Sequence, residues 1–293
     1  MEVPFRYRSV AIACVLGAAV VWVFGGILSS LVRQWASDDN YSHGFFVVPL
    51  ALFFVWERRH ALMNAPSRPG FLGLLVIIGS LSLLLAGQLG AELFLTRVSF
   101  VGVLAGIALF VWGRDQFRIL AFPLAFLLLM IPLPAIVFNQ LAFPLQLLAS
   151  RAGEAVIGLA GIPVLREGNV LQLPTRTLEI VEACSGIRSL VSLITLAIVL
   201  GYFTERRTGA RVLIALAAIP IAILANAARV AGTGLASELI SPAAADGFFH
   251  TFSGWLMFVF AFFGLLAVQR IIAARGPMAP LPRPVRPPRA AEA

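Results

Sequence analysis

Eight apolar runs, separated by short segments that hold most of the charge, decide what this chain can fold into. They are Ser9–Val32, Gly44–Trp56, Phe71–Leu89, Val98–Trp112, Ile119–Val137, Ser189–Phe203, Val212–Ala228 and Thr251–Val268. A spanning helix needs roughly 20 mostly apolar residues. Lipid offers the backbone no hydrogen-bonding partners, so each run must satisfy its own amides and carbonyls as helix. The second run is short and reads as a span or a re-entrant segment. Only 12% of the 293 residues are charged, about half the ~25% of a soluble domain, so there is too little polar surface to coat a particle in water. The predicted fold is an all-α polytopic membrane protein with about eight transmembrane helices.

Arginine placement selects the threading, because cytoplasmic loops are enriched in positive charge. All 22 basic residues are arginine, so no lysine can act as base or Schiff-base former. Eight spans with both termini inside place 15 arginines in the cytoplasm and 7 outside. If Gly44–Trp56 does not span, the division becomes 8 inside and 14 outside; if Asn139–Ile162 spans as well, the other 21 divide 11 to 10. Eight spans satisfy the rule, and the same bias explains the net charge of +8 without nucleic acid. Asn139–Ile162, which carries Arg151 and Glu154, then reads as an amphipathic helix on the outer surface. Val164–Ile180, alternating around Glu167-Gly168-Asn169, reads as a small extracytoplasmic β-hairpin. The Pro- and Arg-rich stretch 275–293 is expected to be a disordered cytoplasmic tail near anionic lipid, leaving 1–274 as the membrane-embedded domain.

In this threading His43, Cys184, Arg229 and His250 all reach the non-cytoplasmic face. Cys184 stands just before an apolar helix, with Arg188 one turn away; a helix N-terminus and nearby cations lower a thiol's pKa and so favour the nucleophilic thiolate. Arg229 closes the run Val212–Ala228, and an ionisable residue at the edge of a membrane span is a functional candidate. It can hold a thiolate or stabilise an oxyanion, with Asn226 one turn earlier to orient it. His250 opens the last span and titrates near neutrality, which suits proton transfer to a leaving amine. His43 is a second histidine candidate, and Glu182 and Arg188 are candidates for supporting polar contacts. Cys14 lies deep in the first run and reads as a small hydrophobe. No metal-ligand spacing occurs, and neither metal nor cofactor is expected.

Five runs, in order, resemble the exosortase/archaeosortase family: Tyr41-Ser42-His43-Gly44, Arg166-Glu167-Gly168-Asn169, Glu182-Ala183-Cys184-Ser185-Gly186-Ile187-Arg188-Ser189, Asn226-Ala227-Ala228-Arg229, and Gly247-Phe248-Phe249-His250-Thr251-Phe252-Ser253-Gly254-Trp255. The resemblance implies a membrane-embedded cysteine peptidase or transpeptidase with Cys184 as nucleophile, Arg229 as its transition-state partner and His250 as acid/base. Its implied partners are exported proteins bearing a C-terminal sorting signal: a Pro-Glu-Pro-type motif, a hydrophobic helix and a basic tail. The implied location is the bacterial inner membrane, with the site facing the periplasm. The acceptor, water or another nucleophile, stays open.

Two other readings belong to different classes. A transporter or channel would use Arg229 and His250 inside the membrane and would have paired helix breaks. Pro123, Pro132 and Pro134 interrupt one span, but no symmetrical counterpart exists. A non-catalytic subunit of polysaccharide export would tolerate substitution at all three polar residues.

Overall fold

The computed structural model describes residues 5–180, 187–241 and 247–275, with side chains from residue 15 onward except 187 and 247–251. Among the described residues, ten α-helices and three short strands follow in chain order: α1 (Phe5–Ser37), α2 (Gly44–Glu57), α3 (Arg59–Asn64), α4 (Phe71–Leu89), α5 (Leu93–Ile107), α6 (Arg114–Phe126), α7 (Ala135–Leu159), β1 (Leu165–Glu167), β2 (Val170–Gln172), β3 (Thr177–Glu179), α8 (Ile187–Thr204), α9 (Thr208–Leu239) and α10 (Gly247–Ala274). Seven of the apolar runs are helical throughout their described lengths, α5 being extended by a π turn over Ala108–Trp112. The eighth, Ile119–Val137, is broken between a 3-10 turn at Leu127–Met130 and the start of α7.

Among the described residues five helices are long and apolar enough to cross a membrane, or six when Arg114–Met130 and α7, bent by 78°, count as one broken span. The count differs from eight because α2 has only 14 residues and α8 is likewise short. At ~1.5 Å per residue α2 is about 21 Å long, short of the ~30 Å hydrocarbon core. Large apolar side chains face outward along the long helices, Trp22 at 87% exposed and Phe260 at 60% among them, as a lipid solvent permits. The chain is a multi-pass membrane protein.

The chain divides into two units, one comprising residues 1–148 and 180–188, the other 149–179 and 189–293. The first holds an α4–α5 hairpin with a seam of small residues. A Cβ added at Gly102 would collide with Ser80 Oγ, one at Gly73 with the Phe110 backbone, and one at Gly106 would lie 2.6 Å from Ile77 Cγ1. Association between helices in lipid rests on this close approach, because burying apolar surface from an apolar solvent gains nothing. Phe24, Leu84 and Val103 form a buried cluster that fixes α1 against the hairpin.

Prolines shape the rest of this unit. Pro123 and Pro134 have no N–H to offer the carbonyls four residues earlier, on Ile119 and Met130. Donors from elsewhere replace them: Arg58 Nη1 donates to the Ile119 carbonyl at 3.2 Å, and Trp35 Nε1 to that of Met130 at 3.0 Å.

In the second unit the strands form an antiparallel sheet in the order β1-β2-β3, with Glu167 opposite Val170 across a two-residue turn. Gly168 takes φ 65° there, a left-handed conformation that glycine adopts at little steric cost. The expected hairpin is thus present with a third strand added. Ser150 Oγ donates to the Gly168 carbonyl at 3.0 Å, and Arg166 Nε bonds Glu154 at 2.8 Å, fastening the turn to α7. Leu193, Ile214, Ala218 and Leu265 are buried in a cluster joining α8, α9 and α10.

The α4–α5 seam can be tested directly. Gly102→Val should destabilise the protein by about 1–3 kcal/mol through overpacking. Gly79→Ala, where a Cβ meets nothing within 4 Å, should leave stability nearly unchanged. Unfolding in detergent followed by circular dichroism measures both.

Candidate active site

Arg229 and Asn226 project from adjacent turns of α9, whose buried positions Ala218, Ala222, Asn226 and Val230 follow the helical repeat. Asn226 is buried, and Arg229 is half-buried with its Nε wholly enclosed. The guanidinium lies against α10. A Cβ built at Gly254 would stand 3.3 Å from both Cζ and Nη2 of Arg229, a separation that leaves no comfortable room for a methyl group. The arginine head therefore rests on the bare backbone of α10 at this turn. His250 precedes Gly254 by four residues, about 6 Å along the axis on the same face; its side chain lies outside the described residues. A guanidinium held beside a histidine-bearing turn combines a donor for developing negative charge with a residue type suited to proton transfer.

His43 belongs to the first unit and stands between the 3-10 turn Asp39–Tyr41 and α2. Its Nε2 is 3.1 Å from the carbonyl of Leu129, an arrangement that requires the proton on Nε2. With Trp35 on Met130, two side chains thus serve consecutive carbonyls at the broken helix. Gly44 follows because any Cβ there would strike the Trp35 indole. Tyr41 is buried, its ring 6.2 Å from Phe138 and 6.4 Å from His43. Each member of Tyr41-Ser42-His43-Gly44 except the exposed Ser42 thereby contributes to closing the helix break. Burial is the main effect on His43 and holds its pKa below the ordinary 6.5, offset in part by the backbone groups of Leu129 and Asn40.

Arg188, in the first turn of α8, makes an ion pair with Asp39 at 3.4 Å and donates from Nε to Asn40 Oδ1 at 3.3 Å. Both charged partners are substantially exposed, so the attraction is screened and acts mainly as a positional tie. The tie joins the end of the cysteine segment to the turn that carries His43. Cys184 and Glu182 themselves fall within 181–186, outside the described residues.

Arg229 is thus placed with Asn226 and the His250 turn, and Arg188 with the His43 turn. Sequence reasoning assigned nothing to Trp35, Asp39, Asn40 or Gly254. Gly254 carried a usable signal, its spacing of four from His250.

A family model described as transmembrane exosortase matches residues 35–267. No curated protein and no solved structure matches the chain. The matched span starts at Trp35 and takes in the helix break, the sheet and the Arg229–Gly254 contact.

The depressed pKa of His43 gives a pH dependence of known sign. The folded protein binds this proton less readily than the unfolded chain, so the contribution is complete above pH 6.5 and is lost as pH falls through the lower folded value. His43→Gln, which keeps an N–H donor, should remove that acid-side loss. His43→Ala should cost about 1 kcal/mol at pH 7.5 by leaving a half-buried carbonyl unpaired. Unfolding midpoints measured between pH 5 and 8 check both outcomes.

Proposed function

The chain belongs to the transmembrane exosortase family, and from that premise we propose that it is a cysteine peptidase or transpeptidase acting on the C-terminal sorting signals of exported proteins. Within the molecule, the observation that carries this reading is the Arg229 guanidinium held against Gly254, one turn from His250. The family match, which spans Cys184, Arg229 and His250 together, supports the same assignment.

In the proposed reaction the Cys184 thiolate attacks the carbonyl carbon of the scissile peptide. Negative charge develops on the carbonyl oxygen, and Arg229 donates hydrogen bonds to it, a contribution greatest where water is excluded. The C–N bond breaks as His250 delivers a proton to the departing amine. The acyl group remains on Cys184 as a thioester. Water, an amine or a hydroxyl then attacks that thioester, and the thiolate is released. Asn226 orients Arg229. Arg188, through Asp39 and Asn40, anchors the end of the Cys184 segment.

The proposed setting is the bacterial inner membrane, with residues 1–274 as the catalytic domain, 275–293 as a cytoplasmic tail, both termini in the cytoplasm and the site toward the periplasm. The sorting signal of an exported protein, with its hydrophobic helix in the same bilayer, would present its cleavage point at that face.

Co-expression with a protein bearing such a signal tests the reading. Cys184→Ala should lower processing by at least about 10³-fold, as removal of a catalytic nucleophile does, with full-length substrate accumulating in the membrane by mass spectrometry. Arg229→Ala should cost about 10²–10³-fold, the range for losing an oxyanion donor. Unchanged processing by a normally inserted Cys184→Ala protein overturns the mechanism. Gly254→Val should push the guanidinium aside and reduce turnover about 10²-fold, the penalty for misplacing a catalytic group by roughly 1 Å, while insertion stays normal.

A further inference from the structure

A second polar site lies in the first unit, where the end of α1, the α4–α5 turn and the start of α7 meet around a cavity of about 400 Å³. Its centre is Arg97, on the second turn of α5 and only 4% exposed. Among the described residues no carboxylate forms an ion pair with Arg97, and its buried Nε has no hydrogen-bond acceptor. Arg97 lines the cavity together with the amide side chains of Gln34, Asn40 and Asn139 and the rings of Tyr41 and Phe138. An arginine enclosed within a membrane span, its Nε left without an acceptor, calls for an anionic partner.

Two acidic side chains on the same wall do not supply it. Asp38 Oδ1 accepts the Asn40 amide at 2.9 Å, and Glu92 Oε1 accepts the Phe94 amide at 3.1 Å, capping the helix that carries Arg97. Their charges discriminate among ligands, since repulsion from the two carboxylates grows with ligand charge and penalises a dianion more than a monoanion. A carboxylate also matches the planar fork of a guanidinium in a bidentate pair. The volume exceeds that of a lone ion, and the three amides offer donors and acceptors to polar groups flanking the charge.

We propose that the cavity around Arg97 is a binding site for a carboxylate group. The carboxylate belongs to a free small acid or to an acidic side chain of a polypeptide, and the two sources are separated by titration. The site stands independently of the peptidase reading, and its test reads binding alone.

The full chain is placed in neutral phosphatidylcholine nanodiscs, and its unfolding midpoint is followed against sodium acetate, the blocked tripeptide Ala-Glu-Ala, its Ala-Gln-Ala counterpart, and sodium chloride at matched ionic strength. A saturable rise with acetate or the Glu peptide, absent with chloride and the Gln peptide, is expected. Equal apparent affinity for the two carboxylates assigns a free acid. Binding of the Glu peptide at least about tenfold tighter assigns a polypeptide side chain. Arg97→Gln should abolish the rise while leaving the ligand-free midpoint equal or higher, because it removes an uncompensated charge. Asn139→Ala, at the exposed rim, should weaken binding without altering that midpoint.

A lower ligand-free midpoint in Arg97→Gln would mark a structural arginine and overturn the proposal. So would a rise that survives Arg97→Gln, the absence of any rise with both carboxylates, or an Arg97-dependent rise produced only by phosphatidylglycerol in the nanodisc, which would make the site one for a lipid headgroup.

Discussion

A carbonyl group exposed to hydrocarbon has no water to turn to, and the first unit is organised around that cost. Pro123 and Pro134 each withdraw the amide that helical geometry would supply, and the chain turns by 78° where the second one falls. Arg58, Trp35 and His43 bring three donors to Ile119, Met130 and Leu129. Each donor comes from a different segment, so satisfying the broken helix also fixes α1, the turn before α2 and the end of α2 against it. Gly44 and Tyr41 follow as accessories, one making room for the indole and the other filling the space beside the imidazole.

The second unit meets the same solvent differently. Helix α9 runs unbroken past Pro220, and the turn of the small sheet is held by Ser150 and Arg166. Glu238, near the end of α9, accepts from the backbone amide and hydroxyl of Thr175 in the loop before β3. Close approach again depends on glycine: Gly153 faces Val230 and Leu171, Gly234 faces Ile157, and Gly254 faces Arg229. The first two let apolar side chains interlock. The third places a charged head instead.

Much of this was legible in the residues. Apolar runs became helices because lipid leaves the backbone little alternative, and Gly168-Asn169 announced a turn because glycine tolerates its backbone angles. Strand β3 was not legible, since three residues provide too little alternation to register as a period. Pro132 and Pro134 signalled an interruption, yet which donors would serve it depends on tertiary contacts 86 and 95 residues apart in sequence. The Arg229, His250 and Cys184 motifs stood out because polar groups are scarce in such a chain. Arg97 did not, because it borders the run Val98–Trp112 and belongs to no motif. His43 drew attention as a titratable group, whereas its hydrogen bond to Leu129 is a backbone matter that no motif encodes.

The order of these residues along the chain has a consequence for biogenesis. A nascent polypeptide enters the bilayer from its N-terminus, and Trp35 and His43 leave the ribosome 95 and 86 residues ahead of the carbonyls they serve. The early helices therefore act as a built-in chaperone for the later broken one: when the proline-interrupted segment emerges, the groups that complete it already wait in the membrane.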